Sequence, residues 1–533
     1  MDVLKIGRGK VAPRIAAVAL GMLAIGLTDG QPEYPDRPTP PRAAVQPNPI
    51  GINLAELAFY GSECPFVDVF RCSQPLIHQS DEAWELAEPL ELRPDGYPAR
   101  LEAGHWAGAL MFRSMGLHYP AGIYVCRYDG QGEIEFDFAA TAIDSKPGRI
   151  EVEVTPNEDG IHLKIVRTDP EDPIRNIRLL RPGMADSTET FDAAFLDRWR
   201  GFRILRFMDW LQTNSAPKRS WADRTRLESQ TQAGPGGIAP ELLVELANEL
   251  EADPWICLPH QATDDWIDGF AAVVAEQLAP DRRVYLEYSN ETWNGIFEQA
   301  RHCEEQGIAA DLSPNPDTAR LRYQAQRSVE CFDRFNQHFD RERTIRVLGL
   351  HNDNPTAAKI PLEWRDTWKH IDATAVAPYF GNDLGSPSRA ARTRSMSVED
   401  VLAFCRRDVR RAMDATAQHA RLARSYGLEL LAYEGGPHLA GFGGAENDDA
   451  LVELFTRANR DPAMGEVYAQ YLDAWNELTN GAFVAFQSTA VPSKWGAFGL
   501  CEDYGPDSES APKYRAVRQA IERQAKNASP LGR

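Results

Sequence analysis

The chain is poorly equipped to hold a metal, a phosphate or a nucleic acid. It has no C-x-x-C and no cluster of histidines, so no zinc site is indicated. Eight cysteines in 533 residues are too few for a disulfide scaffold. Cys64 with Cys72, and Cys303 with Cys331 as a weaker candidate, are the pairs that an oxidising compartment would join. Positive charge is in deficit, with 57 Lys and Arg against 78 Asp and Glu, a net charge of −21. Such a chain repels nucleic acid and anionic membrane surfaces. A neutral substrate suits it better than a polyanion, and neither a metal nor a cofactor is expected.

Long apolar runs are scarce, and the one that stands out is N-terminal. Lys5, Arg8, Lys10 and Arg14 precede the run Ile15 to Leu27. It fits the h-region of a signal peptide and is short for a bilayer span. No clean small-x-small pattern closes it, so residues 1–30 read as a signal peptide or an uncleaved anchor. Either way the body of the protein is expected to be exported, periplasmic or extracellular, and membrane-bound only if the segment stays uncleaved. A Pro-rich linker occupies 31–48.

Two textures follow. From about 85 to 182, "GIYVCRY", "EIEFDF", "RIEVEV" and "IHLKIV" alternate with period two, separated by "DGQG", "DSKPG" and "NEDG". These are strands and turns of an antiparallel β domain, expected to be a sandwich. After Ala185, seven strand-then-helix units appear, with strands "GFRILRF", "PWICLPH", "RVYLEYSN", "IRVLGLH", "HIDATAVAPY", "LELLAYEG" and "AFVAFQS". An eighth strand, "IGINLAEL", precedes the β domain. Eight alternating strands predict a (β/α)8 TIM barrel with an antiparallel β domain inserted after strand 1. The competing plan is an open doubly wound sheet, disfavoured because no Gly-rich phosphate loop follows any strand. The expected bounds are 49–75 for the strand 1 region, 76–185 for the insertion, 186–525 for the rest of the barrel and 526–533 for a tail.

Active sites of such barrels sit at the carboxyl ends of the strands. Strand 2 delivers Arg206, Asp209 and Trp210. Strand 3 delivers His260. Strand 4, "VYLEYSNETWNG", ends abruptly in Asn290 and Glu291, with Trp293 next. Strand 6 ends at Tyr379, strand 7 at Glu434 with Gly435 and Gly436, and Trp495 follows strand 8. Two carboxyls on different strands, one protonated and one ionised, are what glycoside hydrolysis needs. Flat aromatic faces suit pyranose rings, and Arg or His orients a carboxylate and holds its charge state. Each residue also has a plain structural alternative. Glu434 before two glycines makes a turn, His260 after a proline packs, and Trp293 and Trp495 pack. Alternation puts Glu287 and Glu291 on one side of strand 4, so parity does not choose between them.

With those residues the chain resembles the retaining glycoside hydrolases of clan A, over roughly 49–75 and 186–525. Asn290-Glu291 is similar to the Asn-Glu that ends strand 4 in that clan, and "AYEGG" around Glu434 is similar to its strand 7. The spacing Glu287-x-x-Asn290-Glu291 resembles the β-xylosidase-like members. The resemblance implies Glu291 as acid/base and Glu434 as nucleophile. It implies Asn290 on the sugar 2-hydroxyl, with Arg206, His260 and Tyr379 in supporting positions. Trp293, Trp495 and Trp210 are expected to line substrate subsites. The clan often places a Trp at the end of strand 8, and here Trp495 lies several residues beyond "FVAFQS". The expected activity is retaining hydrolysis of a β-linked poly- or oligosaccharide. A non-catalytic carbohydrate-binding barrel serving polysaccharide secretion or adhesion is the alternative. A polysaccharide lyase is disfavoured, because the strand ends are poor in groups that would neutralise a uronate. Trp106 and Tyr119 are the residues that hint at glycan binding by the β domain.

Overall fold

A computed structural model describes residues 48–528. The N-terminal apolar run, nearly all of the Pro-rich linker and the last residues of the tail lie outside the described residues.

The first strand, β1 (Ile50–Asn53), is followed by eight strands of a separate sheet pair: β2 (Ile77–Ser80), β3 (His105–Met111), β4 (Gly122–Asp129), β5 (Gly132–Phe138), β6 (Ala140–Lys146), β7 (Arg149–Val154), β8 (Ile161–Thr168) and β9 (Arg175–Leu180). Seven strands complete the series: β10 (Ile204–Arg206), β11 (Asp253–Leu258), β12 (Val284–Tyr288), β13 (Thr344–Gly349), β14 (Ala373–Val376), β15 (Glu429–Ala432) and β16 (Phe483–Ala485). β1 and β10 to β16 form one closed barrel, each strand parallel to the next, with β16 pairing back to β1.

Strands buried on both sides should read as unbroken apolar runs, and β12, Val-Tyr-Leu-Glu-Tyr, is buried at every position. Helices separate the strands, among them Pro240–Glu249, Asp264–Gln277, Pro316–Phe335, Val398–Ser425 and Pro462–Leu478. Inside the barrel, Ile204, Trp255, Tyr285, Val347, Leu431, Tyr433 and Val484 pack as one core. Val398–Ser425 begins in a capping box, Ser397 and Asp400 bonding each other's backbone N–H.

The chain divides into two compact units. One holds the barrel; the other comprises Leu57–Asp192 and Arg226–Gly234. The second is wider than the 76–185 span expected from the strand pattern. Chain without regular alternation joins it through backbone bonds, Phe66 bridging to Phe191, Asp68 to Leu180, and Gln232 N–H donating to Arg71 at 2.7 Å. Its two antiparallel sheets have the orders β2-β3-β8-β5 and β6-β7-β4-β9. Ile161, Leu163 and Ile165 of the first, and Ile150, Val152 and Val154 of the second, are their buried sides. The chain passes from one sheet to the other at Phe138, whose φ is +66°.

All eight cysteines are buried free thiols, so neither expected pair is joined. Cys64 and Cys72 nevertheless hydrogen-bond thiol to thiol. Cys303 instead lies 3.9 Å from the Tyr288 hydroxyl.

Candidate active site

Arg206 ends β10 with no exposed surface and organises the barrel mouth. Its Nη1 donates to Glu434 Oε1 at 2.8 Å and to Asn53 Oδ1 at 3.0 Å. Its Nη2 donates to Glu287 Oε2 at 3.0 Å and to Asn290 Oδ1 at 2.9 Å. A planar fork with five donors is the one side chain that can tie four acceptors from three other strands or their ends. Asn53 is fixed in turn by donating to the Tyr433 carbonyl at 2.9 Å.

Glu434 follows β15. Its second oxygen accepts from the Tyr379 hydroxyl at 2.9 Å. Burial raises its pKa, and Arg206 and Tyr379 oppose that rise by favouring the anion. Glu291 accepts from Tyr433 Oη at 3.2 Å and from Asn294 Nδ2 at 3.0 Å. Burial, and then the charge of Glu434, push its pKa up to about 8. The carboxyls therefore feel each other, and the cation sits on Glu434. A single shared proton belongs on Glu291.

The structure separates Glu287 from Glu291. Glu287 points into the core, where it accepts from Arg206, from Trp255 Nε1 at 2.9 Å and from Cys257 Sγ at 3.5 Å. Gly349 makes room for it, since a Cβ there would lie 2.8 Å from Glu287 Oε1. Glu291 is turned away because alternation ends at Tyr288. Ser289 at φ +60° and Glu291 at φ +42° are both left-handed, a costly conformation that recurs at functional sites.

The other expected residues divide. Asn290 joins the network, bonded to Arg206 and donating to Asn214 Oδ1 at 3.1 Å. Trp293 is half-buried, with its ring stacked on His351 at 4.1 Å and 9°, and its indole N–H lacks a partner. His260 is 3% exposed, and its ring packs against His302 at 5.1 Å with a side-chain contact to Gln261. Burial lowers its pKa to about 4, so it is neutral, and no hydrogen bond joins it to the carboxyls. Trp210 is 1% exposed and packs on Phe207 and Phe195. It is a core residue and presents no face to a substrate. Trp495 lies in a tight hairpin beside Lys494, which sits 4.7 Å from its ring. The residue directly after β16 is Phe486, which packs edge-on to Tyr379 at 6.1 Å.

Besides Asn53 on Arg206 and Asn294 on Glu291, three further participants were not visible in the sequence. Tyr433 is an interior barrel residue whose hydroxyl emerges at Glu291. Asn214 lies in a turn and Gln299 in the first turn of the helix Glu298–Ala309, and both buttress Asn290, Gln299 donating to the Asn290 carbonyl at 2.9 Å. No pattern in the sequence marks either residue. Among the described residues no group of His, Cys, Asp and Glu could hold a metal ion.

The fold is a (β/α)8 barrel with an inserted β unit. No protein-family model matches the chain, and no curated protein does. Solved structures resemble it distantly. A GH51 arabinofuranosidase from Xanthomonas axonopodis pv. citri is 12% identical, with 59% of this chain and 63% of that one covered and a TM-score of 0.37. A 4-O-alpha-L-rhamnosyl-beta-D-glucuronidase from Fusarium oxysporum 12S is 9% identical, with 61% and 62% covered and a TM-score of 0.37. An endo-laminarinase from Formosa Hel1_33_131 is 13% identical, with 58% and 77% covered and a TM-score of 0.34. The chain spans less than two thirds of the first two of these. The barrel assignment rests on strand order and register, and the site on its own geometry.

Proposed function

We propose that this protein is an exported glycoside hydrolase that cleaves a β-linked poly- or oligosaccharide with retention of configuration. The observation that carries the reading is the division of labour between two buried carboxyls. Glu434 is clamped by a cation and a phenol, and Glu291 holds its proton up to about pH 8. In the first step Glu434 attacks the anomeric carbon while Glu291 passes its proton to the leaving oxygen. In the second, Glu291 takes a proton from water, which displaces Glu434 from the glycosyl-enzyme. Asn290, oriented by Arg206 and Asn214, has an amide hydrogen left for the sugar 2-hydroxyl. The indole N–H of Trp293, two residues after Glu291, is buried without a partner of its own and is a second candidate donor.

The test is hydrolysis of β-glucan, xylan, mannan and aryl β-glycosides, with proton NMR of the first-formed anomer. The reading expects a β-product from a β-glycoside. An α-product first would mean inversion, and inertness on every substrate with sugar binding intact would favour a carbohydrate-binding barrel. Export is tested by fractionating cells that express the full chain; recovery in the cytoplasm alone would reject it.

A further inference from the structure

Among the described residues only two aromatic side chains are strongly exposed, Trp84 at 36% and Phe138 at 41%. They lie together, their rings 6.0 Å apart and 16° from parallel. Both rest on His162, at 4.9 and 5.2 Å. Trp106 and Tyr119 do not present such a face. Trp106 is half-buried with the Lys164 ammonium 5.3 Å from its ring, and Tyr119 is stacked on Phe112.

Register pairs Phe138 with buried Ile161, but its left-handed backbone turns the ring onto His162, where Trp84 also lies, on the outer side of the sheet β2-β3-β8-β5. Register puts Asp137 opposite His162 and Glu135 opposite Lys164, on the side away from the buried Ile161, Leu163 and Ile165. Polar groups surround the aromatic pair. Lys164 bonds Glu135 and Asp137, both at 2.9 Å, with those carboxylates about half exposed. Arg113, paired to Asp159, sits 6.0 Å from the Phe138 ring. Behind the rings Gln79 accepts from Trp106 and contacts His162 at 3.0 Å each. Its amide nitrogen, in a side chain 1% exposed, has no partner. Gly108 leaves it space, since a Cβ there would meet Gln79 Oε1 at 1.7 Å.

Phe138 exposes its ring from a left-handed backbone, φ +66°. That conformation is strained for a bulky side chain and free of strain for glycine. Exposed flat rings bordered by carboxylate acceptors and cationic donors suit a ligand with one apolar face and an edge of hydroxyls. The acidic chain makes a neutral ligand better than a polyanion.

We infer that Trp84 and Phe138 form a non-catalytic platform for a neutral pyranose chain on the β unit, a second sugar site remote in sequence from the barrel carboxyls. Its ligand class rests on the glycosidase reading, and the experiment separates the two. Affinity electrophoresis of the full chain carrying Glu434→Gln is run in gels containing β-glucan, xylan or mannan, with Trp84→Ala, Phe138→Ala and the aromatic-retaining Trp84→Phe added. The wild-type platform should be retarded by at least one polysaccharide. Each alanine should weaken that retardation about threefold to tenfold, as loss of an aromatic contact implies, and Trp84→Phe should restore most of it. In the otherwise unaltered chain, the same alanines should leave kcat/KM on a short aryl glycoside unchanged. Retardation identical in all variants, or absent in every gel, would overturn the platform while leaving hydrolysis untouched. So would a dimer, seen by sedimentation, that Trp84→Ala dissolves, because a second copy would then be the occupant. A fall in aryl-glycoside turnover equal to the fall in binding would assign the rings to folding.

Discussion

Tyr433 donates a hydrogen bond to Glu291 at 3.2 Å, although it precedes Glu434 in the chain. One strand end therefore supports both carboxyls. The bond favours the Glu291 anion and works against burial. Tyr433→Phe should raise the Glu291 pKa further. In the proposed reaction Glu291 begins protonated, so activity should fall as pH rises through that pKa. The alkaline limb of kcat/KM should move upward by roughly half to one pH unit, the worth of a hydrogen bond of about 1 kcal/mol. A limb that stays or moves down would contradict the assignment.

Glu287 shares Arg206 with Glu434, and its negative charge raises the Glu434 pKa. Glu287→Gln should lower that pKa and move the acid limb of kcat/KM to lower pH, because in the proposed reaction Glu434 attacks as the anion. Arg206 keeps its ion pair with Glu434 in that variant, so the fold should survive, as denaturant unfolding would check. An unmoved acid limb in a folded variant would show that Arg206 does not couple the two acids.

Azide separates the roles of the two carboxyls. Either Glu→Ala change should lower kcat on unactivated substrates by a factor of about 100 or more. On an activated aryl β-glycoside, Glu434→Ala with azide should yield the α-glycosyl azide by one inversion. Glu291→Ala should form the glycosyl-enzyme and release the β-glycosyl azide. Exchanged products would reverse the two roles.

Holding Glu291 protonated has a stability consequence. Its folded pKa, about 8, lies above the ordinary value of 4.5. The folded state then binds the proton more tightly than the unfolded one, so stability is full below about pH 4.5 and is lost as pH rises to about 8. Glu291→Gln should raise Tm markedly at pH 8 and little at pH 5. An equal change at both values would argue against the raised pKa.

Cys64 and Cys72 are buried together, and the Cys72 thiol, with Arg181 nearby, lowers the Cys64 pKa. Protein recovered from an oxidising compartment should have this pair joined, as peptide mapping without reduction would reveal. Two free thiols in exported protein would refute it.

The barrel was legible because seven of its strands are apolar runs spaced by helices, and because strand ends such as Asn290-Glu291 carry polar groups where a core strand should not. The β unit was legible where alternation is clean, as in β7 and β8. It was not legible at β3, His-Trp-Ala-Gly-Ala-Leu-Met, or at β6, which is mostly exposed. Trp210 was misjudged because sequence does not tell which way a loop aromatic turns. The choice between Glu287 and Glu291 depended on two left-handed residues that no periodicity encodes. Tyr433 was hidden because an interior tyrosine reads as core until its hydroxyl is seen to reach the mouth.

Asn53 touches Arg206 and also donates to the Ala485 carbonyl, a partner 432 positions away in sequence. Closing so long a loop adds only modest entropy, but contacts of this separation form slowly. β1 pairs with β10 on one side, Asn53 in register with Arg206, and with β16 on the other, so one side chain ties the barrel's closing edge to the guanidinium that holds Glu434. Barrel closure and the site are therefore mechanically linked: a change that opened the β1–β16 edge would free Asn53 from Ala485 and loosen one of the four acceptors that hold Arg206.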